Sequence, residues 1–136
     1  MRIFIKYREK KKFYNKRKLY LNRRIIEIKQ NTDSKRREEA AKTLGGFEYE
    51  RVERTIRHKV IATLKIYLSN TFENEAHVRI AIAEALGKIP YWSPEDDKRV
   101  KTVKRALRHA NRLDPDDDVK YKARWALEKL KHYTIK

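Results

Sequence analysis

VRIAIAEALGKI, residues 78–89, decides how this chain folds, because two relatives of it flank it: RREEAAKTLGGF at 36–47 and VKYKARWALEKL at 119–130. Laid over one another, the three share a basic second residue (Arg37, Arg79, Lys120), Leu at position nine (Leu44, Leu86, Leu127) and a large apolar residue at position twelve (Phe47, Ile89, Leu130). An acid stands three residues before each copy (Asp33, Glu75, Asp116). The copies begin at residues 36, 78 and 119, intervals of 42 and then 41, and each interval has room for two helices. A period near 40 with a helix pair per unit is the signature of a helical solenoid, whose units bury their apolar faces only by stacking on one another.

The helix punctuation agrees. Gly45-Gly46 and Gly87 close the first two copies, as glycines taking positive φ at a helix C-terminus would. Ser93-Pro94-Glu95-Asp96 and Asp114-Pro115-Asp116-Asp117 each offer a capping side chain, Pro at the first helical position and acids for the first turn; Asn74-Glu75 does the same without Pro. These signals predict helices over about 34–45, 49–69, 75–88, 94–112 and 116–133, and nothing after residue 31 alternates like a strand. Within 94–112, Val100, Val103, Leu107 and Ala110 form one apolar stripe. Tyr14, Leu21, Ile25 and Ile28, also at helical spacing, predict that residues of about 20–30 cap the first repeat, while 1–18 form a basic extension whose order depends on a partner. The chain thus divides into an arm with a capping helix (1–31) and a repeat domain (32–136).

The three copies resemble the D-x-x-V-R-x-x-A-A-x-A-L-G-x-I first helix of HEAT repeats, in the short form shared with bilin-lyase-like proteins. The middle copy matches through Val78, Arg79, Ala83, Ala85, Leu86, Gly87 and Ile89; the first has Arg36 for Val and Thr43 for Ala, and the third has Glu128 for Gly and no second helix. Over residues 33–133 the resemblance implies an all-α solenoid of about 2.5 helix-pair repeats. It further implies that the basic residue at position two bonds acids or carbonyls between repeats, and that second helices line the concave, partner-binding surface. HEAT repeats serve as scaffolds, adaptors and nucleic-acid binders, so the resemblance speaks to architecture more than to activity.

Charge narrows the partner. The 136 residues carry 36 Lys plus Arg against 19 Asp plus Glu, a formal +17, which favours a polyanion over a neutral metabolite. Residues 1–31 alone hold 12 bases and 2 acids. There Arg2, Lys6, Arg8, Lys10, Lys11, Lys12, Lys16, Arg17, Lys18, Arg23 and Arg24 interleave with Tyr7, Phe13, Tyr14 and Tyr20, a mixture suited to phosphate contacts and to stacking of unpaired bases, with Tyr14 a contact candidate. A second basic feature, DDKRVKTVKRALRHANR at 96–112, places Lys98, Lys101, Arg105, Arg108 and Arg112 opposite the apolar stripe; with Lys104 they make a ridge about 20 Å long at 1.5 Å per residue. No acid follows Asp97 until Asp114, so this face has one sign. The preceding second helix adds Arg51, Arg54, His58 and Lys65, diluted by Glu48, Glu50 and Glu53.

Other chemistry finds little purchase. There is no cysteine, hence no disulfide, zinc-thiolate site or thiol nucleophile. The four histidines show no metal-binding spacing, and the acids at 114–118 lack the alternation of a calcium loop, so no catalytic residue, metal or cofactor is expected. No basic start is followed by the roughly 7 to 15 apolar residues of a signal peptide, Arg2 stands where myristoylation needs Gly, and no Cys can carry a lipid, which together read as a soluble cytoplasmic protein without a membrane anchor. Heavy use of Lys, Arg, Glu and Ile with a single Met and a single Gln points toward a thermophilic source. The functional expectation is a non-enzymatic nucleic-acid binder, RNA before DNA and ribosomal RNA in particular. The alternatives are an adaptor for an acidic protein partner and, third, a DNA-binding protein of the HEAT-like glycosylase type.

Overall fold

The computed structural model describes the backbone of residues 2–91 and 96–131 and the side chains of 16–91 and 96–131. Six α-helices occur among the described residues: α1 (Arg2–Gln30), α2 (Ser34–Gly46), α3 (Arg54–Tyr67), α4 (Ala76–Lys88), α5 (Asp97–Leu113) and α6 (Asp117–Leu130). They alternate between two layers. The motif helices α2, α4 and α6 stack on one another, α1, α3 and α5 form the second layer, and each second-layer helix packs on the motif helix that follows it. The result is an all-α solenoid: two complete repeats, preceded by α1 in a second-helix position and ended by α6 as a motif helix.

Periodicity explains which faces are buried. In the central helix α4, Val78, Ala81, Ile82, Ala83, Ala85 and Leu86 are all buried, because this helix has motif neighbours on both sides and α3 beneath it. α2 and α6 each have one motif neighbour and bury fewer residues, Ala40, Ala41 and Leu44 in one and Val119, Ala123, Ala126 and Leu130 in the other. Leu21, Ile25 and Ile28 of α1 are buried in the same continuous core. α1 runs unbroken through both parts expected of residues 1–31. At 29 residues it is about 43 Å long, twice the length of the helices it packs against.

The glycines of the motif do not take positive φ. They serve closeness instead. A Cβ built on Gly45 would lie 2.7 Å from the Ala85 Cα, and one on Gly87 would lie 3.0 Å from the Ala126 Cα and 3.0 Å from the Trp125 ring. Bare backbone lets successive motif helices touch, which corrects the capping role expected for these residues. Trp125 is accordingly a packing residue. Gly46 has open space around it. Gly45→Ala should therefore force α2 and α4 apart at a cost of about 1–3 kcal/mol, whereas Gly46→Ala should stabilise by about 0.4–1 kcal/mol through the unfolded chain. Urea unfolding of both variants checks this opposition of sign.

Two helix starts also differ from expectation. The helix expected over 49–69 begins at Arg54, after a 3-10 turn at Tyr49–Arg51. The buried Tyr49 causes the turn, since its hydroxyl donates back to the Leu44 carbonyl and holds the chain against the end of α2. Tyr91 repeats this bond to the Leu86 carbonyl at 3.1 Å in the next unit. Burial pushes the Tyr49 phenol well above its ordinary pKa. At the start of α6 the cap is Asp116, which accepts from the backbone N–H groups of Asp118 and Val119, and Pro115 precedes the helix instead of opening it. Ser93, Pro94 and Glu95, named for the start of α5, lie outside the described residues.

Asp114 has turned inward, and its partner shows why. Arg79 Nε and Nη2 donate to its two carboxylate oxygens at 2.9 and 3.1 Å, and Arg79 Nη1 donates to the Glu73 carbonyl at 2.8 Å. One repeat earlier, Arg37 donates to both Glu73 oxygens at 2.8 Å and to the Asn31 carbonyl at 2.8 Å. Asn31, Glu73 and Asp114 each also accept the N–H two residues on, at Asp33, Glu75 and Asp116. A polar ladder thus runs Asn31, Arg37, Glu73, Arg79, Asp114 through the stack, with every charge paired. The Glu73 carboxylate raises the Arg37 pKa further, chiefly through its hydrogen bond. Lys120, the third position-two residue, makes only a 4.0 Å contact with Asp117 of its own helix.

Candidate functional site

α5 carries three chemically distinct stripes. Val100, Val103, Leu107 and Ala110 are buried against the core. Opposite them, Lys98, Lys101, Arg105, Arg108 and Arg112 are exposed, with Lys104 half-buried beside them. Burial, together with the neighbouring Arg108 charge, lowers the Lys104 pKa. The third stripe faces α3 across an open groove of about 370 Å³, where Lys98, Arg99 and Thr102 meet His58, Ala62 and Lys65. The Lys65 ammonium donates to the Thr102 hydroxyl at 3.3 Å across this groove. A smaller cleft of about 110 Å³ continues along the same helix pair from Lys65 to His109 and Leu113.

Two buried acids near this surface, Asp96 and Asp114, are already engaged, while Asp97 opens α5 beside Lys98. Asp96 is fully buried, accepts from Arg57 Nη2 at 3.0 and 2.8 Å, and lies 2.9 Å from His58 Nε2. Asp114 is taken by Arg79. In the motif-helix layer some cations are paired, Lys42 with Glu38 at 3.3 Å, Lys88 with Glu84 at 3.1 Å and Lys131 with Glu128 at 2.9 Å, while Lys35, Arg36 and Arg124 are exposed. Among the described residues, Lys98, Lys101, Arg105, Arg108 and Arg112 have no acid partner. The structure therefore brings Lys65 of one second helix beside the ridge of the next, a juxtaposition that spacing within either helix does not contain. Arg99 was missed for the same reason: it stands off the ridge and lines the groove only because α3 lies there.

On α1 the expected contacts divide. Lys16, Lys18 and Arg23 are exposed. Arg17 lies over the Phe47 ring at 5.8 Å, with its guanidinium 3.5 Å from the Glu48 carbonyl, and so ties α1 to the end of α2. Arg24 pairs with Glu27 at 3.0 Å and lies over the Tyr20 ring at 5.1 Å. Arg2, Lys6, Arg8, Lys10, Lys11, Lys12 and Tyr14 belong to the N-terminal half of α1, and their side chains lie outside the described residues. α3 separates α1 from α5 within the second layer, linked to α1 by the Lys59 ammonium donating to Asn22 at 3.0 Å.

Among the described residues no three His, Cys, Asp or Glu side chains gather as a metal site. No described helix is long and apolar enough to cross a membrane. No curated protein and no solved structure matches the chain. A family model described as HEAT repeats matches residues 22–128, from within α1 to the end of α6. With the two-layer stack, the motif-helix contacts and the position-two arginines bonding between units, this match makes the chain a member of the HEAT-repeat family, a helical repeat scaffold.

Proposed function

We propose that this HEAT-repeat scaffold binds nucleic acid without catalysing a reaction, and that its partner is structured RNA, ribosomal RNA in particular. The observation that supports this reading is the ridge of five exposed cations on α5 that have no acid partner among the described residues, whereas Lys42 and Lys88 of the motif-helix layer pair with acids of their own helices. Leaving like charges side by side is unfavourable in isolation, and a phosphate backbone relieves it by releasing its own counterions. The α3–α5 groove beside the ridge adds Lys65 and Arg99, so the positive surface extends beyond a single helix face. An acidic protein partner is the second reading, supported by the same surface and by the adaptor role common among HEAT scaffolds. Residues 1–18 act in this proposal as a basic arm that adds affinity.

Purification from native lysate at low salt separates the two readings. RNA binding predicts a raised absorbance at 260 nm that ribonuclease or high salt removes, while an acidic protein partner would survive ribonuclease. Deleting residues 1–15 removes Arg2, Lys6, Arg8, Lys10, Lys11 and Lys12 with only Glu9, a net loss of five charges, and spares Arg17 and the buried Leu21. Affinity for RNA is expected to fall and the salt slope to flatten by about 0.7 to 0.9 log units per lost phosphate contact, with an unchanged melting temperature. Equal affinity in a filter-binding titration would remove the arm from the interface.

A further inference from the structure

Position twelve of the motif is a core position in two copies and a half-buried one in the first. Ile89 and Leu130 are fully buried, but Phe47 is only partly covered and stacks on Tyr20 of α1, centroids 5.8 Å apart at 27°. Tyr20 is itself 42% exposed. The two rings, with Lys16, Arg17, Gly46 and Glu48, line an open groove of about 590 Å³. Tyr49 meets the edge of Phe47 from beneath, at 5.6 Å and 65°, which fixes that ring against the core. The Arg17 guanidinium lies 5.8 Å from the Phe47 ring and that of Arg24 5.1 Å from the Tyr20 ring.

We propose that this niche holds one unpaired nucleobase of a bound RNA, stacked on the Tyr20–Phe47 pair, with its phosphate on Lys16 and Arg17. The inference rests on the nucleic-acid reading above and assigns it a second contact of different chemistry. Three observations select this occupant. Flat apolar rings bordered by guanidinium planes match a base, since both aromatic rings and guanidinium groups serve as stacking platforms. Lys16 and Arg17 of α1 line the groove beside the rings and supply positive charge for a sugar-phosphate. Glu48, which also lines the groove, is exposed, and its carboxylate can accept N–H donors from a base edge. Gly46 leaves room beside the rings, because no atom beyond its chain neighbours and its own helix backbone lies within 4 Å of where its Cβ would stand.

The test uses the full chain and a 12-nucleotide oligouridine carrying one central 2-aminopurine, whose fluorescence is quenched by stacking on a ring, beside the same strand paired in a blunt duplex. Wild-type protein is expected to quench the single strand and to leave the duplex signal unchanged. Phe47→Leu and Tyr20→Leu, which keep apolar volume but remove a ring, should abolish the quenching. Each should also weaken single-strand binding by about 5- to 150-fold while duplex affinity and its salt slope stay as they were. Single-strand binding without quenching by the wild type, or undiminished quenching in both folded variants, overturns the niche and leaves the phosphate-binding ridge standing. Failure of the wild type to bind either probe overturns the nucleic-acid reading itself, and the niche with it.

Discussion

Arg79→Ala is expected to destabilise the protein by about 3–5 kcal/mol, the range for removing one partner of a buried ion pair. Both side chains of the Arg79–Asp114 pair are 3% exposed, so the variant would strand a carboxylate in the core and leave the Glu73 carbonyl without its 2.8 Å donor. Arg37→Ala should cost less, because the Arg37 side chain is 13% exposed and water can reach the site. Lys120→Ala should cost no more than about 1 kcal/mol, since its one contact is with the exposed Asp117. Urea titrations of the three variants should therefore rank them Arg79, Arg37, Lys120. Similar costs at all three positions would mean that the ladder is ornamental and that packing of the motif helices sets stability.

That ranking follows from a feature only half legible in the linear chain. The basic residue at position two repeats with the motif, so a bonding role between repeats could be expected from the resemblance. Its acceptors could not. Glu73 sits in a loop that resembles any polar connection, and Asp114 has a more obvious use as a helix cap beside Pro115. What distinguishes Asn31, Glu73 and Asp114 is that each stands two residues before a cap (Asp33, Glu75, Asp116), a register visible only once the caps are fixed. The glycines were misread for a related reason. A glycine at a helix end satisfies both the left-handed cap and close helix approach, and only the 2.7 Å distance at Gly45 decides between them.

Core positions were the most legible because burial in a stacked helix array imposes its own period. Leu44 and Leu86 are fully buried as the motif requires, and the apolar stripe of α5 is buried throughout. Leu127 is the exception, only partly buried at the same motif position, because no second helix follows α6 among the described residues to cover it. The ridge was legible as a pattern of like charges on one helix. The preceding helix was expected to add His58 and Lys65, and both line the groove; the Lys65–Thr102 contact itself, 37 residues apart, exists only through the solenoid. Phe47 was hidden in a different way: its motif position foretells a core residue, and its exposure depends on what precedes the first repeat.

The ridge is where the second large effect is expected. Changing Lys101, Arg105, Arg108 and Arg112 together to Gln removes four charges that point away from Val100, Val103 and Leu107, so the melting temperature should hold while RNA affinity falls. The loss should be alike for all sequences, because contacts to phosphate position a protein without reading bases. Loss confined to one sequence would instead place arginine side chains on base edges.

The central claim, that α5 is a phosphate track, is tested most directly by the salt dependence of structured-RNA binding for the wild type and this four-residue variant. If all four cations contact phosphate, the slopes of log affinity against log salt should differ by about 2.8 to 3.6, so that between 50 and 200 mM salt the wild type loses about 50- to 150-fold more affinity than the variant. Parallel lines, from a variant that is folded, would contradict the account and return the ridge to an ordinary solvated helix face.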